Sequence, residues 1–177
     1  MKEGGNMEDQ FRQIDPERIT GNVFRMIDKD WMLITAGKAE SFNMMTASWG
    51  GLGVLWHKPA AFCFVRPTRH TYGFMEQNEF FSLCFFAEQH RKALEFCGTK
   101  SGRQVDKAKE TGLSPVRGVS GAVYFRQARL VLECRKIYHQ DIDPQKFLDP
   151  EIHKSYPIKD YHRMYVGQVM NCLSREQ

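Results

Sequence analysis

Residues 66–71 read RPTRHT, and their types and spacing suit the capture of an anion. Arg66 ends an apolar run, Pro67 cannot donate to a strand ladder, and Thr68 stands where a helix would begin. Arg66, Thr68, Arg69 and Thr71 therefore collect where a strand hands over to a helix N-terminus. Such a place offers unpaired N–H groups and the positive end of the helix dipole, which favour a phosphate. A guanidinium adds a planar fork that grips phosphate oxygens by two bonds, and threonine hydroxyls add short donors. A Thr68-capped helix beside two solvated arginines fits the same spacing equally well.

A second stretch, FNMMTASWGGLG at residues 42–53, sets three glycines and the side chains of Asn43, Thr46 and Ser48 inside an apolar region. Glycine lets backbone approach a ligand closely, or marks a bulge. On an extended chain Thr46 and Ser48 point one way, Met45 and Ala47 the other. A row of hydroxyls with backbone N–H groups beside it would line a flat polar heterocycle. A buried strand whose hydroxyls bond neighbouring backbone fits that pattern too. The five cysteines, Cys63, Cys84, Cys97, Cys134 and Cys172, are odd in number and too far apart for a zinc-type pair. They are expected as reduced, buried thiols, with no metal site. His57, His70, His90, His139 and His153 have no partner pattern and read as solvated.

These residues need elements to hold them. DWMLITAG reads as a buried strand closed by Gly37, AAFCFV as another between Pro59 and Pro67, and EFFSLCFF as a third. From 122 to 138 the chain alternates. Ala122, Tyr124, Ala128, Leu130, Leu132 and Cys134 share one face, with Gln127, Arg129, Glu133 and Arg135 on the other. This predicts one long strand with a wet face. RMYVGQVM is a last strand. Asp15 and Pro16 suit a short helix or turn, Thr68 is placed to cap a helix running to about Asn78, and Gly98 and Gly112 stand where two further helices end. Strands outnumber helices and lie too close for regular βαβ units. The expected class is mainly β, a barrel or sandwich with peripheral helices.

The totals are those of a globular domain. A chain of 177 residues favours one domain and buries roughly 70% of its unfolded surface without a disulfide or metal. Residues 1–13 are polar and read as a loose tail, and 14–177 as a single domain. The net charge of +4 is spread along the chain. With no basic cluster and no aromatic stripe, neither nucleic acid nor a membrane surface is an expected partner. The N-terminus has no apolar core of the signal-peptide kind, and no apolar run approaches the roughly 20 residues that span a bilayer. A soluble, cytoplasmic protein is expected.

Taken in order, NMMTASWGGLGVLWHKP, VRPTRHTY, FFSLCFF, CGTKSGRQVDK, LECRKIY and YHRMYVGQV resemble the flavin reductase-like proteins, and among them the flavoredoxin-like branch. The resemblance runs over about residues 20 to 170. It implies the FMN-binding split barrel, a six-stranded Greek-key barrel, as a homodimer with FMN near the subunit interface. Carried over, Met45, Thr46, Ala47, Ser48 and Trp49 would border the isoalloxazine and ribityl chain. Arg66, Thr68, Arg69 and Thr71 would hold the phosphate, with Tyr72 close by. Lys100 and Ser101, in the turn TKSGR, would contact the flavin region; an exposed basic turn is the other reading of those residues. His162 would help to position a substrate. Gln168 stands where relatives commonly carry glutamate, and His57 and Gly73 also depart from the usual text.

The activity the resemblance implies is an FMN-dependent oxidoreductase. It would take hydride from NAD(P)H and pass electrons to free flavin, a ferric chelate, a protein or another acceptor. A non-catalytic, FMN-bound electron carrier is the other reading. The sequence has no spaced-glycine dinucleotide fingerprint followed by its strand, so a nicotinamide donor would bind transiently against the flavin.

Overall fold

A computed structural model describes residues 11–175. Short β1 (Arg12–Gln13) is followed by a turn at Pro16–Arg18, whose first N–H is capped by the Asp15 carboxylate. After α1 (Val23–Arg25) and one wide turn come β2 (Met32–Lys38) and β3 (Ser41–Ala47), a hairpin in register from Met32↔Ala47 to Lys38↔Ser41. Gly37 is required within it. Its φ is +115°, and a Cβ there would lie 2.4 Å from the Ser41 carbonyl oxygen. β4 (Gly50–Leu55) and β5 (Lys58–Val65) form a second hairpin, with Trp56 and His57 at its tip in left-handed backbone. Then follow α2 (His70–Gln77), β6 (Phe80–Phe85), α3 (Arg91–Thr99), α4 (Lys107–Thr111), β7 (Pro115–Arg117), β8 (Val123–Phe125), β9 (Leu130–Asp141) and β10 (Arg163–Ser174).

One antiparallel sheet runs in the order β3-β2-β6-β9-β10-β5-β4, with β1 added beside β10; β7 and β8 make a separate pair. Eight strands in one sheet exceed the six expected. The edge strands β3 and β4 stand at opposite ends of this order, yet only Ser48 and Trp49 separate them in the chain. Two residues reach at most about 3.3–3.6 Å each, so the sheet must curl until its edges meet. The result is a barrel whose seam is closed by covalent chain instead of a hydrogen-bonded ladder, the split barrel expected. The seam is crowded: a Cβ on Gly50 would lie 2.6 Å from the Phe62 carbonyl oxygen and 3.0 Å from Met32 Cε, which belongs to β2.

Two cores follow from the curl. Met32, Ile34, Met45, Cys63, Val65, Phe81, Leu83, Phe85, Leu132 and Tyr165 fill the barrel. Leu33, Met44, Cys84, Leu94, Cys97, Phe125 and Val131 pack the outer face beneath α3, α4 and β8. β2 is therefore buried on both faces along most of its length. All five cysteines are free and buried, and burial raises each thiol's pKa, to about 12 at Cys84 and about 11 at Cys97. Among the described residues no helix is long and apolar enough to cross a membrane.

The structure corrects several sequence expectations. The strand predicted over 122–138 is broken into β8 and β9. Arg126 N–H turns to the Ser114 carbonyl and Ala128 N–H to that of Phe125, so the chain leaves one sheet before joining the other. Its expected wet face fails at Glu133, which is fully buried and accepts from Ser120 N–H at 3.0 Å, Ser120 Oγ at 2.5 Å and Asn171 Nδ2 at 2.8 Å. Gln127, Arg129 and Arg135 are partly exposed. Thr35, Ser82, Glu133 and Asn171 stand opposite one another on four adjacent strands, a buried polar row beneath the β7–β8 hairpin and its loop. Thr68 does not cap α2. The cap position is Arg69, without a side-chain bond, because the Thr68 hydroxyl is engaged elsewhere. α3 runs one residue past Gly98, whereas α4 ends at Gly112 in left-handed backbone as expected. Of the predicted tail, 1–10 lies outside the described residues, and Arg12 and Gln13 are paired with Ser174 and Leu173.

Candidate functional site

A cavity of about 260 Å³ opens at the barrel seam. The end of β3 and its link to β4 supply Met45, Thr46, Ala47, Ser48 and Trp49. β5 and the segment after it supply Phe64 and Arg66, the start of α2 Arg69, α3 Gly98, and the approach to β10 His162. Elements distant in sequence are thus joined by the curl. A larger groove of about 860 Å³ runs between the β3 edge and residues 102–115. Its buried cation, Lys107, is turned onto the Met44 and Cys97 carbonyls at 2.8 Å each, and burial lowers that ammonium's pKa to about 8.

The two arginines differ in their partners. Arg66 donates to Asp160 Oδ1 at 2.6 Å and to the Ser155 carbonyl at 2.8 Å, and its guanidinium lies 4.9 Å from the centre of the Tyr156 ring. Thr68 Oγ1 donates to the other Asp160 oxygen at 3.2 Å. Arg69 donates to the Gly98 carbonyl at 2.7 Å, and among the described residues it has no carboxylate partner. Burial, then the charge of Arg66, lower its pKa. A half-buried guanidinium beside a second one is costly unless an anion joins them.

His162 and Trp49 form the aromatic side of the cavity, their ring centres 4.8 Å apart and their planes tilted by 49°, with the Phe64 ring edge-on to His162. His162 Nδ1 shares a hydrogen bond of 2.9 Å with the Tyr156 hydroxyl. Burial, then the nearby Arg66, pull its pKa down to about 4, so the imidazole is neutral near pH 7. Thr46 Oγ1 donates to the Leu94 carbonyl of α3 at 2.5 Å, which is the buried-strand alternative; Ser48 faces the cavity. A Cβ on Gly98 would meet Thr46 Cβ at 3.3 Å, so the absence of a side chain lets α3 close on β3.

Met45, Thr46, Ala47, Ser48, Trp49, Arg66, Arg69 and His162 are therefore brought together. Other predicted site residues stand apart from the cavity. Thr71 is buried inside α2 and accepts from Asn43 Nδ2 at 2.7 Å. The Tyr72 ring lies 5.4 Å from the Arg163 guanidinium, whose other partners are Asp141 and Glu76. Lys100 is exposed just past α3, and Ser101 Oγ accepts from Arg103 N–H. Gln168 Oε1 accepts from Arg135 at 3.1 Å. Sequence reasoning did not place Phe64 and Gly98 in the cavity wall, nor Tyr156 and Asp160 beside His162 and Arg66. Asp160 lies 94 residues from Arg66 in the chain, and nothing in its local text marks it.

The family model described as flavin reductase like domain matches residues 24–177. No curated protein matches the chain. Among solved structures, the flavoredoxin of Methanosarcina acetivorans aligns with a TM-score of 0.65 at 23% identity, over 93% of this chain and 77% of that one. An FMN-binding domain of a flavin reductases-like enzyme from Shewanella baltica aligns with a TM-score of 0.68 at 14% identity, over 94% and 78%. The NADH:FAD oxidoreductase of Streptomyces globisporus, in complex with NAD and FAD fragments, aligns with a TM-score of 0.60 at 18% identity, over 81% and 73%.

Proposed function

Because the chain belongs to the flavin reductase-like family, we propose that the seam cavity binds FMN and that the protein is an NAD(P)H-dependent oxidoreductase of the cytoplasm. The observation that carries this reading is Arg69: a half-buried guanidinium without a carboxylate partner among the described residues, beside Arg66, in a cavity walled by Trp49, Phe64 and His162. That donor set suits a phosphate, and those walls suit a flat heterocycle.

When bound, FMN would supply the hydride and electron chemistry, from a nicotinamide donor onward to flavin, ferric or protein acceptors. The chain's own residues have simpler tasks. Arg69 and Arg66 hold the phosphate end. Ser48 and the backbone of 46–49 border the ring and ribityl chain, Trp49 and Phe64 exclude water, and neutral His162, steadied by Tyr156, orients what enters beside the ring. A nicotinamide donor is supported by the NAD named with the Streptomyces relative. The flavoredoxin relative favours a second reading, an electron carrier without nicotinamide turnover. The purified protein is expected to be yellow after loading with FMN and to oxidise NADH or NADPH when flavin is added. Bound flavin that neither nucleotide bleaches under anaerobic mixing would select the carrier.

A further inference from the structure

Asp160 holds the place where an incoming phosphate would find its donors. Its carboxylate is nearly buried, and each oxygen takes a donor from the strand-to-helix segment: Oδ1 from Arg66 at 2.6 Å, Oδ2 from Thr68 at 3.2 Å. The Ser155 carbonyl takes a further Arg66 N–H, and Tyr156 covers the guanidinium face. Two of the predicted phosphate-binding side chains are thus satisfied by a carboxylate of their own chain, whereas Arg69 has no carboxylate partner among the described residues.

Resting on the reading of this cavity as an FMN site, we propose that Asp160 is an internal counter-anion that sets specificity for the flavin's phosphate. A phosphate can reach Arg66 and Thr68 only by displacing this carboxylate or by enduring its repulsion. The uncharged riboflavin meets neither obstacle. Asp160 therefore narrows the advantage of FMN over riboflavin and lets the phosphorylated flavin exchange. The residue lies on the segment 142–162, which is pinned at its base by Ile142 N–H on the His162 carbonyl. The contact with Arg66 and Thr68 fastens that segment to the strand-to-helix junction beside the cavity.

The test is equilibrium binding of FMN and of riboflavin, followed by flavin fluorescence at fixed ionic strength. Asp160→Asn should tighten FMN about tenfold or more, the scale of one charge-assisted contact, while riboflavin moves by less than about twofold. Asp160→Glu, which keeps the charge, should keep the wild-type preference. A looser FMN complex, or an equal change for both flavins, would overturn the proposal. The wild-type protein tests it without any variant, since a preference for FMN beyond about a thousandfold would overturn it as well. Arg69→Ala separates the two levels. If it weakens FMN while Asp160→Asn does nothing, only the role of Asp160 falls; if FMN affinity is unchanged in Arg69→Ala, the phosphate site falls and Asp160 with it.

Discussion

His162 shows how surroundings decide what a residue type can do. Histidine ordinarily changes charge near neutrality, but here burial comes first and the positive field of Arg66 second, and together they draw its pKa from 6.5 to about 4. The folded chain then resists a proton that the unfolded chain accepts between those values, so stability rises with pH across this window. Nuclear magnetic resonance titration of the folded protein should find the His162 ring neutral down to about pH 4–5, and His162→Gln should flatten part of the loss of stability below pH 6.5. A ring that titrates near 6.5 would refute this. The sequence offered His162 as a substrate-positioning residue through resemblance alone. Its burial is shared by the rings of Trp49, Phe64 and Tyr156, which no local pattern gathers around it.

Elements show a different limit. β2, β5, β6 and α4 were legible because apolar runs, prolines and a left-handed glycine at 112 mark them in the text. The break between β8 and β9 was not, because alternation continues through 126–129 without glycine or proline. What makes the chain turn there is long-range: Gln127 accepts from Ser114 N–H at 3.0 Å and donates to the Gly112 carbonyl at 2.9 Å. Glu133 is assigned to a wet face by the sequence for the same reason, since a strand pattern cannot tell a solvated carboxyl from one that anchors a loop. It holds Ser120 against the sheet, and Gly118 packs so close that a Cβ would lie 2.2 Å from Oε2. Glu133→Ala would leave the Ser120 N–H and the Asn171 amide unpaired, and should cost about 3 kcal/mol in urea unfolding. A loss below about 1 kcal/mol would mean that the loop is held by other contacts.

At the scale of the molecule, the resemblance anticipated a homodimer, and an exposed apolar group offers a place to test it. Val54, Trp56 and Tyr138 are 74%, 56% and 41% exposed, with the Trp56 and Tyr138 rings 6.1 Å apart at the β4–β5 tip. Large apolar side chains grouped in this way mark interaction surfaces. Sedimentation should return the mass of two 20.6 kDa chains, and Trp56→Glu should shift it toward one; a wild-type monomer at micromolar concentration would dismiss the dimer. The strand order carries a consequence for how the protein comes into being. Among the described residues β5 pairs with β4 and β10, and β10, central in the sheet, follows every other strand of that sheet in sequence. On a ribosome, the β4–β5 hairpin must therefore wait for β10 to emerge before it joins the strands made before it, and the cavity, lined from both sides of that junction, cannot be completed before β10 is made. Such long-range pairing is slow and leaves strand edges open to wrong partners meanwhile. The position of one strand thus makes the nascent chain most vulnerable just before the seam cavity can form.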